Sequence, residues 1–300
     1  MAINRAQLAK ELEPGLNALF GLEYARYENE AAQIFEQETS DRAFEEEVML
    51  VGFGQANVKA EGSAVGFDTA SESFTARYTH DTIALAFALT EEAVEDNLYD
   101  TLSARYTKAL ARSMAYTKQV RGANVLNNAF SVTGGDGVTL ANTAHPTALG
   151  GTFSNRSATD ADLTDVSLEQ AMIDIAGMTD ERGLKIAARG MKMIVPSALQ
   201  FTAERLMKSA NRVGTADNDI NALSNMGMIP QGYVVNHYLT DTNAFFIKTD
   251  VPNGLKHFVR SPMKTAMEGD FTTGNVRYKA RERYSFGFSD FRGIFGSPGA

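Results

Sequence analysis

The stretch Ile83-Ala84-Leu85-Ala86-Phe87-Ala88-Leu89-Thr90-Glu91-Glu92 decides how this chain reads. From Ile83 to Leu89 bulky residues alternate with alanine, the period of two of a strand with one bulky and one thin face. Thr90 then suits a helix N-cap, and no Gly or Pro follows until Gly122. A helix from Glu91 to Arg121 would be about 46 Å long at 1.5 Å per residue. Its acidic residues Glu91, Glu92, Glu95, Asp96 and Asp100 all precede Arg105, Lys108, Arg112, Lys118 and Arg121, the order that the helix dipole favours. Val94, Leu98, Leu102, Tyr106, Leu110 and Met114 recur in steps of four, so the apolar stripe winds by roughly 200° over five steps. One flat partner cannot cover it. A coiled coil would need a mean step of about 3.5, so the pattern predicts a spine that crosses a sheet and meets different elements along its length.

Upstream, residues 1–44 read as an acidic arm with helical tendency. Leu8, Leu12, Leu16, Leu19 and Phe20 fall at helical spacing, interrupted by Pro14-Gly15. From Glu45 to His80 the chain turns to Gly, Ala, Ser, Val and Phe, with Gly52, Gly54, Gly62 and Gly66 between short extended runs. This predicts an extended hairpin with too little bulk for a core of its own. Two-stranded hairpins are marginal in water, so it must cover its own body or reach another subunit.

Downstream, Thr133 to Asp165 is a long loop, functional, partly extended or ordered by a neighbour. A helix is expected from Ser167 to about Asp180 and a strand through Met191, Met193 and Val195. A second helix should run from Pro196-Ser197 to Lys208, with short strands near Tyr233–His237 and Ala244–Lys248, which together make a compact α/β lobe. The closing segment is the most regular. Val276, Tyr278, Ala280, Tyr284, Phe286 and Phe288 share one strand face, broken only by Glu282, while Arg277, Lys279, Arg281 and Arg283 share the other. Alternate strand residues lie about 7 Å apart, so the four cations form a ladder. It could follow a phosphate backbone, or be a solvated or acid-paired face.

The composition narrows the function classes. The chain has 300 residues, 44% hydrophobic and 22% charged, and no cysteine, which excludes disulfides, thiolate metal sites and a cysteine nucleophile. No apolar run approaches the roughly 18 residues of a membrane span, and no export signal is evident at the N-terminus. The formal charge of −9 argues against generic nucleic-acid binding. Residues 1–50 hold four basic against eleven acidic side chains, and residues 255–300 hold eight against four. Such asymmetry can mean a chain folded onto its own tail, pairing with a neighbour's tail, or a nucleic-acid face near the C-terminus. Glu45, Glu46 and Glu47 are the complementary partners on offer for the ladder. If copies pair this way, reversing the three to lysine should impair assembly more than folding.

Catalytic and ligand motifs are missing. Gly134-Gly135-Asp136-Gly137 has the spacing of neither a P-loop nor a dinucleotide fingerprint and reads as a turn. Asp160, Asp162 and Thr164 open like a calcium loop but fail at Asp165 and Ala171, and Asp217, Asp219 and Asn221 fail at Ala222 and Met228. His80, His145, His237 and His257 lack metal-site spacing. A soluble α/β enzyme with a site around His145 is the reading left for catalysis.

The order of parts resembles the major capsid, or major head, protein of tailed bacteriophages, the Johnson or Hong Kong ninety-seven-like fold. Leu140-Ala141-Asn142-Thr143-Ala144-His145-Pro146 with Gly150-Gly151-Thr152-Phe153-Ser154-Asn155 is similar to a loop of the Mu-like head subunit group. Met193-Ile194-Val195-Pro196-Ser197-Ala198-Leu199 is similar to the start of the family's axial-domain helix, and Arg281-Glu282-Arg283-Tyr284-Ser285-Phe286-Gly287-Phe288-Ser289-Asp290 to its closing peripheral-domain strand.

The resemblance implies an α+β fold with an N-terminal arm at 1–44, an extended E-loop at 45–82 and a peripheral domain with the spine helix at 83–165. An axial domain at 166–270 and a return strand at 271–300 complete it. It implies a non-enzymatic subunit that self-assembles into hexamers and pentamers of an icosahedral shell around double-stranded DNA, without sequence-specific binding, cofactor or metal. Portal and scaffolding proteins and a decoration protein would be its partners, and the virion, assembled in the bacterial cytoplasm, its location. The scaffold would be a separate protein or the chain's own contacts. An encapsulin-type compartment shell is the alternative within the same fold. The expected subunit-interface residues are Glu45, Glu46, Glu47, Lys59, Glu61, Phe67, Phe74, Arg277, Lys279, Arg281 and Arg283. Some family members crosslink a lysine to a neighbour's asparagine, and Lys59 lies in the hairpin, though an edge lysine also simply guards against aggregation.

Overall fold

The computed structural model describes residues 5–90, 92, 99–147, 150–212, 219–270 and 272–300. In chain order the elements are α1 (Arg5–Arg26), α2 (Glu30–Ile34), β1 (Glu36–Thr39), β2 (Phe44–Val51), β3 (Ser71–Thr79), β4 (Asp81–Leu89) and α3 (Tyr99–Asn127). There follow β5 (His145–Pro146), β6 (Thr152–Phe153), α4 (Asp165–Ala176), β7 (Gly190–Val195), α5 (Gln200–Lys208) and α6 (Ala222–Met226). The chain closes with β8 (Tyr233–Val235), β9 (Phe245–Thr249), β10 (Leu255–Gly269), β11 (Val276–Phe288) and β12 (Ile294–Ser297).

The predicted strand at Ile83 and the closing strand are neighbours. β4 pairs antiparallel with β11 from Asp81↔Tyr284 to Leu89↔Val276, in a sheet of order β1-β10-β11-β4. The bulky face of β4 and the apolar face of β11 turn toward α1 and α3, where Leu16, Phe20, Leu110, Met114, Tyr278 and Ala280 form a core. Glu282, the one acidic residue on that face, is buried there. It accepts from Lys118 Nζ at 3.3 Å and from Tyr24 OH at 3.4 Å. Burial still pushes its carboxyl above the usual range, with Lys118 opposing.

The spine helix is present, but its buried face departs from the stripe in steps of four. Ser103, Thr107, Leu110, Ala111, Met114, Ala115, Gln119, Ala123 and Leu126 are buried, whereas Tyr106 is 48% exposed. A rigid 3.6-residue period carries every fourth residue off the contact line, and small residues supply the close approach instead. Along its length α3 meets α1, β4, β11 and α2 in turn. The expected helix start at Glu91, with Val94 and Leu98, lies outside the described residues, as do the side chains of Leu8, Leu12 and Leu102.

β10 and β1 have no counterpart in the sequence reading. β10 runs antiparallel to β11 from Leu255↔Phe288 to Gly269↔Val276, with register shifts between Val259 and Lys264. Pro262 stands in that irregular stretch, where a missing N–H costs the ladder nothing. β1 pairs parallel with β10 from Glu36↔Lys256 to Thr39↔Val259. Strand pairing therefore joins residues 255–269 to the closing strand rather than to the lobe before it.

That lobe holds the sheet β12-β9-β7-β8 with α4 and α5 packed on it around Leu168, Met172, Ile175, Met193, Phe245 and Phe295. α4 starts two residues before the expected Ser167 because Thr164 and Ser167 cap it reciprocally, and it ends at Ala176 before Gly177. A second core, with Ile34, Phe35, Leu126, Leu140, Phe246, Leu255 and Ile294, joins the lobe to the arm and the spine. Where the two regions meet, Gly254 and Gly293 cross so closely that a β-carbon on Gly293 would lie 2.3 Å from the Gly254 Cα.

His257, on β10, gives the chain an acid-sensitive point. Its ring stacks on Phe286 at 4.1 Å and 8°, and its Nε2 is buried without a hydrogen bond. Burial, with Lys118 nearby, pushes its pKa down to about 3. A depressed histidine contributes stability that is present above its unfolded value of about 6.5 and lost as pH falls toward 3. His257→Phe should therefore melt close to wild type at pH 7.5. At pH 4.5 it should be the more stable protein by about 2–3 kcal/mol, from two proton-equivalents of pH at about 1.4 kcal/mol each. Parallel melting curves of the two proteins between pH 4.5 and 7.5 would refute this.

Candidate subunit interface

The hairpin forms as expected. β2 and β3 pair antiparallel from Phe44↔Thr79 to Val51↔Ser71, and beyond Val51 the ribbon loses regular pairing. Every residue from 55 to 72 is exposed, Val58 and Phe67 completely. Lys59, Glu61 and Phe67 stand on this tip, while Phe74 is half-buried on β3.

Polar contacts hold the ribbon at its root and near its tip. At the root, Glu47 accepts from Lys256 Nζ and from Ser289 Oγ, and the Tyr78 ring meets Phe258 edge-on at 4.8 Å. Lys256 also lies 2.8 Å from Glu38. Burial alone would lower its ammonium, yet Glu38 and Glu47 hold it above its usual value. Near the tip, Arg182 Nη1 lies 3.2 Å from Asp68 Oδ1, and Arg182 Nη2 donates to the Thr69 carbonyl. Asp68 also accepts from Gly54 N at 2.8 Å, joining the two limbs; these backbone hydrogen bonds, then Arg182, hold its carboxyl below the usual range.

The three expected carboxylates do not meet the cationic ladder within one chain. Glu45 accepts from Ser40 Oγ at 2.6 Å, Glu46 faces Arg77 at 3.7 Å, and Glu47 is committed to Lys256. Reversing all three would strike the chain's own hairpin root as well as any neighbour, so it cannot separate folding from assembly.

The ladder itself lies on the sheet face away from α1 and α3. Arg277, Lys279 and Arg281 are exposed and Arg283 is half-buried. Across the ladder from them on β4 stand Ala88, Ala86, Ala84 and Thr82, all exposed. On the β10 side Lys264 faces Arg281 and Glu268 faces Arg277. Arg277 pairs with Asp270 at 2.5 Å, and Arg283 Nε donates to the His80 carbonyl at 3.4 Å. The result is an open surface, a row of cations beside a thin apolar row.

His145 is in no position to act on a substrate. It is fully buried, stacked on Phe291 at 3.8 Å and 3°, with Nδ1 2.5 Å from Asp136 and Nε2 3.0 Å from Asn155. Both nitrogens are used in holding the Thr133–Asp165 loop. Among the described residues no cluster of three or more His, Asp or Glu could hold a metal ion, and no helix is long and apolar enough to cross a membrane. Asp217 of the second calcium-like run lies outside the described residues. Sequence reasoning missed Arg182, Asp68 and Lys256, which are ordinary charges in the sequence and gain a role only from the fold.

A family model described as phage capsid protein matches residues 73–296. No curated protein sequence matches. Among solved structures, the virus-like particle from Pyrococcus furiosus is similar at 9% identity and a TM-score of 0.56, over 94% of this chain and 97% of that one. The capsid of the cyanophage P-SCSP1u is similar at 11% identity and a TM-score of 0.56, over 89% and 86%. The capsid of Myoviridae phage XM1 is similar at 11% identity and a TM-score of 0.53, over 89% of each chain. At these identities the likeness is one of fold.

Proposed function

Because the chain belongs to the phage capsid protein family, its function is that of a shell-forming major capsid protein, and we propose that copies interlock by laying the hairpin tip of one on the open sheet face of the next. The observation that carries this reading is the tip. Leu50, Phe53, Val58, Val65 and Phe67 expose their apolar surface on a ribbon with no core beneath it, which is unfavourable unless a partner covers them. The alanine row of β4 offers a thin surface to receive them, and Lys279, Arg281 and Lys264 stand beside it for an acidic residue such as Glu61. A heterologous contact of this kind makes rings when its rotation closes, which fits hexamers and pentamers of an icosahedral shell enclosing double-stranded DNA in a virion assembled in the host cytoplasm.

In this reading residues 1–44 are the arm and 45–82 the projecting loop. Residues 83–165 and 255–288 make the peripheral domain and about 166–254 with β12 the axial domain, the boundary moved from 270 because β10 pairs with β11 and β12 with β9. Portal, scaffolding and decoration proteins would bind the assembled surface. The fold likeness to an archaeal virus-like particle keeps a cargo compartment as the second reading. Nucleic acid in purified particles supports the phage shell, and a protein cargo without nucleic acid supports the compartment.

The test is Val58→Asp with Phe67→Asp. Both side chains are fully exposed, so the double variant should melt within about 2 °C of wild type, yet negative-stain images should lose the rings and shells that wild type forms. Normal shells from the double variant, or a wild-type chain that stays monomeric at high concentration, would overturn the interlocking proposal.

A further inference from the structure

α3 presents to solvent, on the side away from the sheet, a stripe that its packing does not explain. Arg105, Lys108 and Arg112 are exposed, and at 100° per residue Arg105, Arg112 and Tyr116 fall within about 20° of one helical line. Lys108, Arg112 and Tyr116 form one wall of an open groove of about 470 Å³, and Glu23 and Tyr27 form the other. Tyr116 is well exposed and is held edge-on against Tyr238 at 5.7 Å. Glu23, the one carboxylate among the groove's described lining residues, is already engaged, by Tyr27 OH at 3.2 Å and Arg26 at 3.9 Å. None of Arg105, Lys108 and Arg112 has an ion-pair partner among the described residues.

We infer that this groove between α1 and α3 is a contact site for the phosphodiester backbone of duplex nucleic acid. Three cations on one exposed helix face, unpartnered among the described residues, on a chain of formal charge −9 call for an anionic partner. Arg, Lys and Tyr are the side chains that donate to phosphate oxygens, and all three types converge here. The ladder on β11 is the competing cationic surface and differs in kind. Its first arginine already has Asp270 and faces Glu268, and it borders an apolar row suited to protein. The two surfaces lie on opposite sides of one helix-on-sheet layer, so a shell tile can turn only one of them toward its contents. On this inference the helix groove is that inner surface. Each copy supplies only about three phosphate contacts, weak alone and effective through repetition over a shell, which lets a shell retain DNA without gripping it at one point. The inference draws on the shell reading for the source of the DNA, but its chemistry is tested on unassembled chain.

The experiment is fluorescence anisotropy of a labelled 20-base-pair duplex with full-length chain between 20 and 200 mM salt. Wild type should bind with a log–log salt slope of about −3. The triple variant R105A/K108A/R112A should bind at least tenfold more weakly at 50 mM salt, with a slope near zero. Arg112→Gln alone should reduce the slope by about one, which keeps the test valid if the triple variant folds poorly by circular dichroism. K279A/R281A/R283A should bind DNA within twofold of wild type. The inference is overturned by absence of salt-dependent binding at 20 mM, by wild-type binding in the α3 variants, or by loss in the ladder variant. Displacement of the duplex by polyglutamate at equal charge would overturn it too, and reassign the groove to an acidic protein partner. Particle images of the same variants report on shell formation separately: a triple variant that builds shells but retains less DNA supports the inference, and a wild-type chain that builds none counts against the shell reading alone.

Discussion

Arg292→Met is expected to cost the folded chain on the order of 3–5 kcal/mol, the range for removing one partner of a buried ion pair. The side chain is 4% exposed and Glu181, its partner at 2.5 Å, is 3% exposed. Nη1 also reaches Asp290 at 3.3 Å, and Nε donates to the Thr179 carbonyl at 2.9 Å. Burial pushes the Asp290 carboxyl up, and the Arg292 guanidinium is what opposes that push. Methionine fills most of the volume but removes the positive charge that faces two largely buried carboxylates and the donor to a carbonyl. The companion variant Arg292→Met with Glu181→Leu should recover the part of the loss that belongs to Glu181, because an apolar pair of similar size is often no worse than a buried ion pair, while Asp290 and the Thr179 carbonyl keep theirs. Urea midpoints at unchanged slope are the measurement. A single variant within 1 kcal/mol of wild type, or a double variant less stable than the single, would show that desolvation does not govern this site.

The same residue explains why the hairpin takes a defined direction before any partner arrives. Glu181 and Arg182 are adjacent on the turn between Thr179 and Lys185. Glu181 is anchored to the C-terminal turn through Arg292, and Arg182 reaches out to Asp68 and the Thr69 carbonyl. Asp180 Oδ1 accepts from the backbone N–H groups of Arg182 and Leu184, each at 2.8 Å, which sets the turn. A ribbon without its own core is thus carried on polar contacts. Near the tip, where solvent reaches Asp68, such contacts are worth little each, so the interlocking proposed above would cost the tip little when it leaves them.

What the residues disclose in advance follows from which physical signals are local. β4 and β11 each turn one bulky face to the helices, so alternation shows both, and the single misfit, Glu282, is where a partner, the half-buried Lys118, has to be found. β10 is buried on both faces between Leu255 and Phe258 and then shifts register around Pro262, so it shows neither alternation nor an unbroken apolar run. β1 is four residues of Glu, Gln and Thr at a sheet edge, and its pairing partner lies more than two hundred residues away. The spine was visible from the absence of helix breakers. Its contact line was not, because Ser103, Thr107, Ala111 and Ala115 are too small to register as an apolar stripe. The exposed tip was legible from its lack of bulk. Arg182, Lys256 and Arg292 were not, because a charge is ordinary in sequence and acquires meaning only from what long-range pairing sets beside it.

Asn155→Ala is expected to destabilise the chain by about 3 kcal/mol or more, although it deletes only a small polar side chain. Asn155 is completely buried. Its Nδ2 donates to the carbonyls of Leu140, Phe291 and Ile294 at 2.7, 2.9 and 3.1 Å, and its Oδ1 accepts from Asn142 N at 2.9 Å. Three carbonyls fix which end of the amide is the nitrogen, so Oδ1 is the atom facing His145, and the His145 Nε2 at 3.0 Å must donate to it. Alanine leaves several buried groups unpaired at about 1–3 kcal/mol for each that finds no water, and only backbone bonds such as Gly296 N to the Asn155 carbonyl still tie the loop to β12. At this chain length a loss of that size lowers the melting temperature by roughly 6–12 °C. Asn155→Asp preserves shape and the acceptor toward His145 but turns a carboxylate oxygen onto three carbonyls. It should be at least as damaging as alanine, the reverse of what steric similarity would give. An aspartate variant as stable as wild type would mean that the amide serves His145 and Asn142 alone and that the carbonyls find other donors.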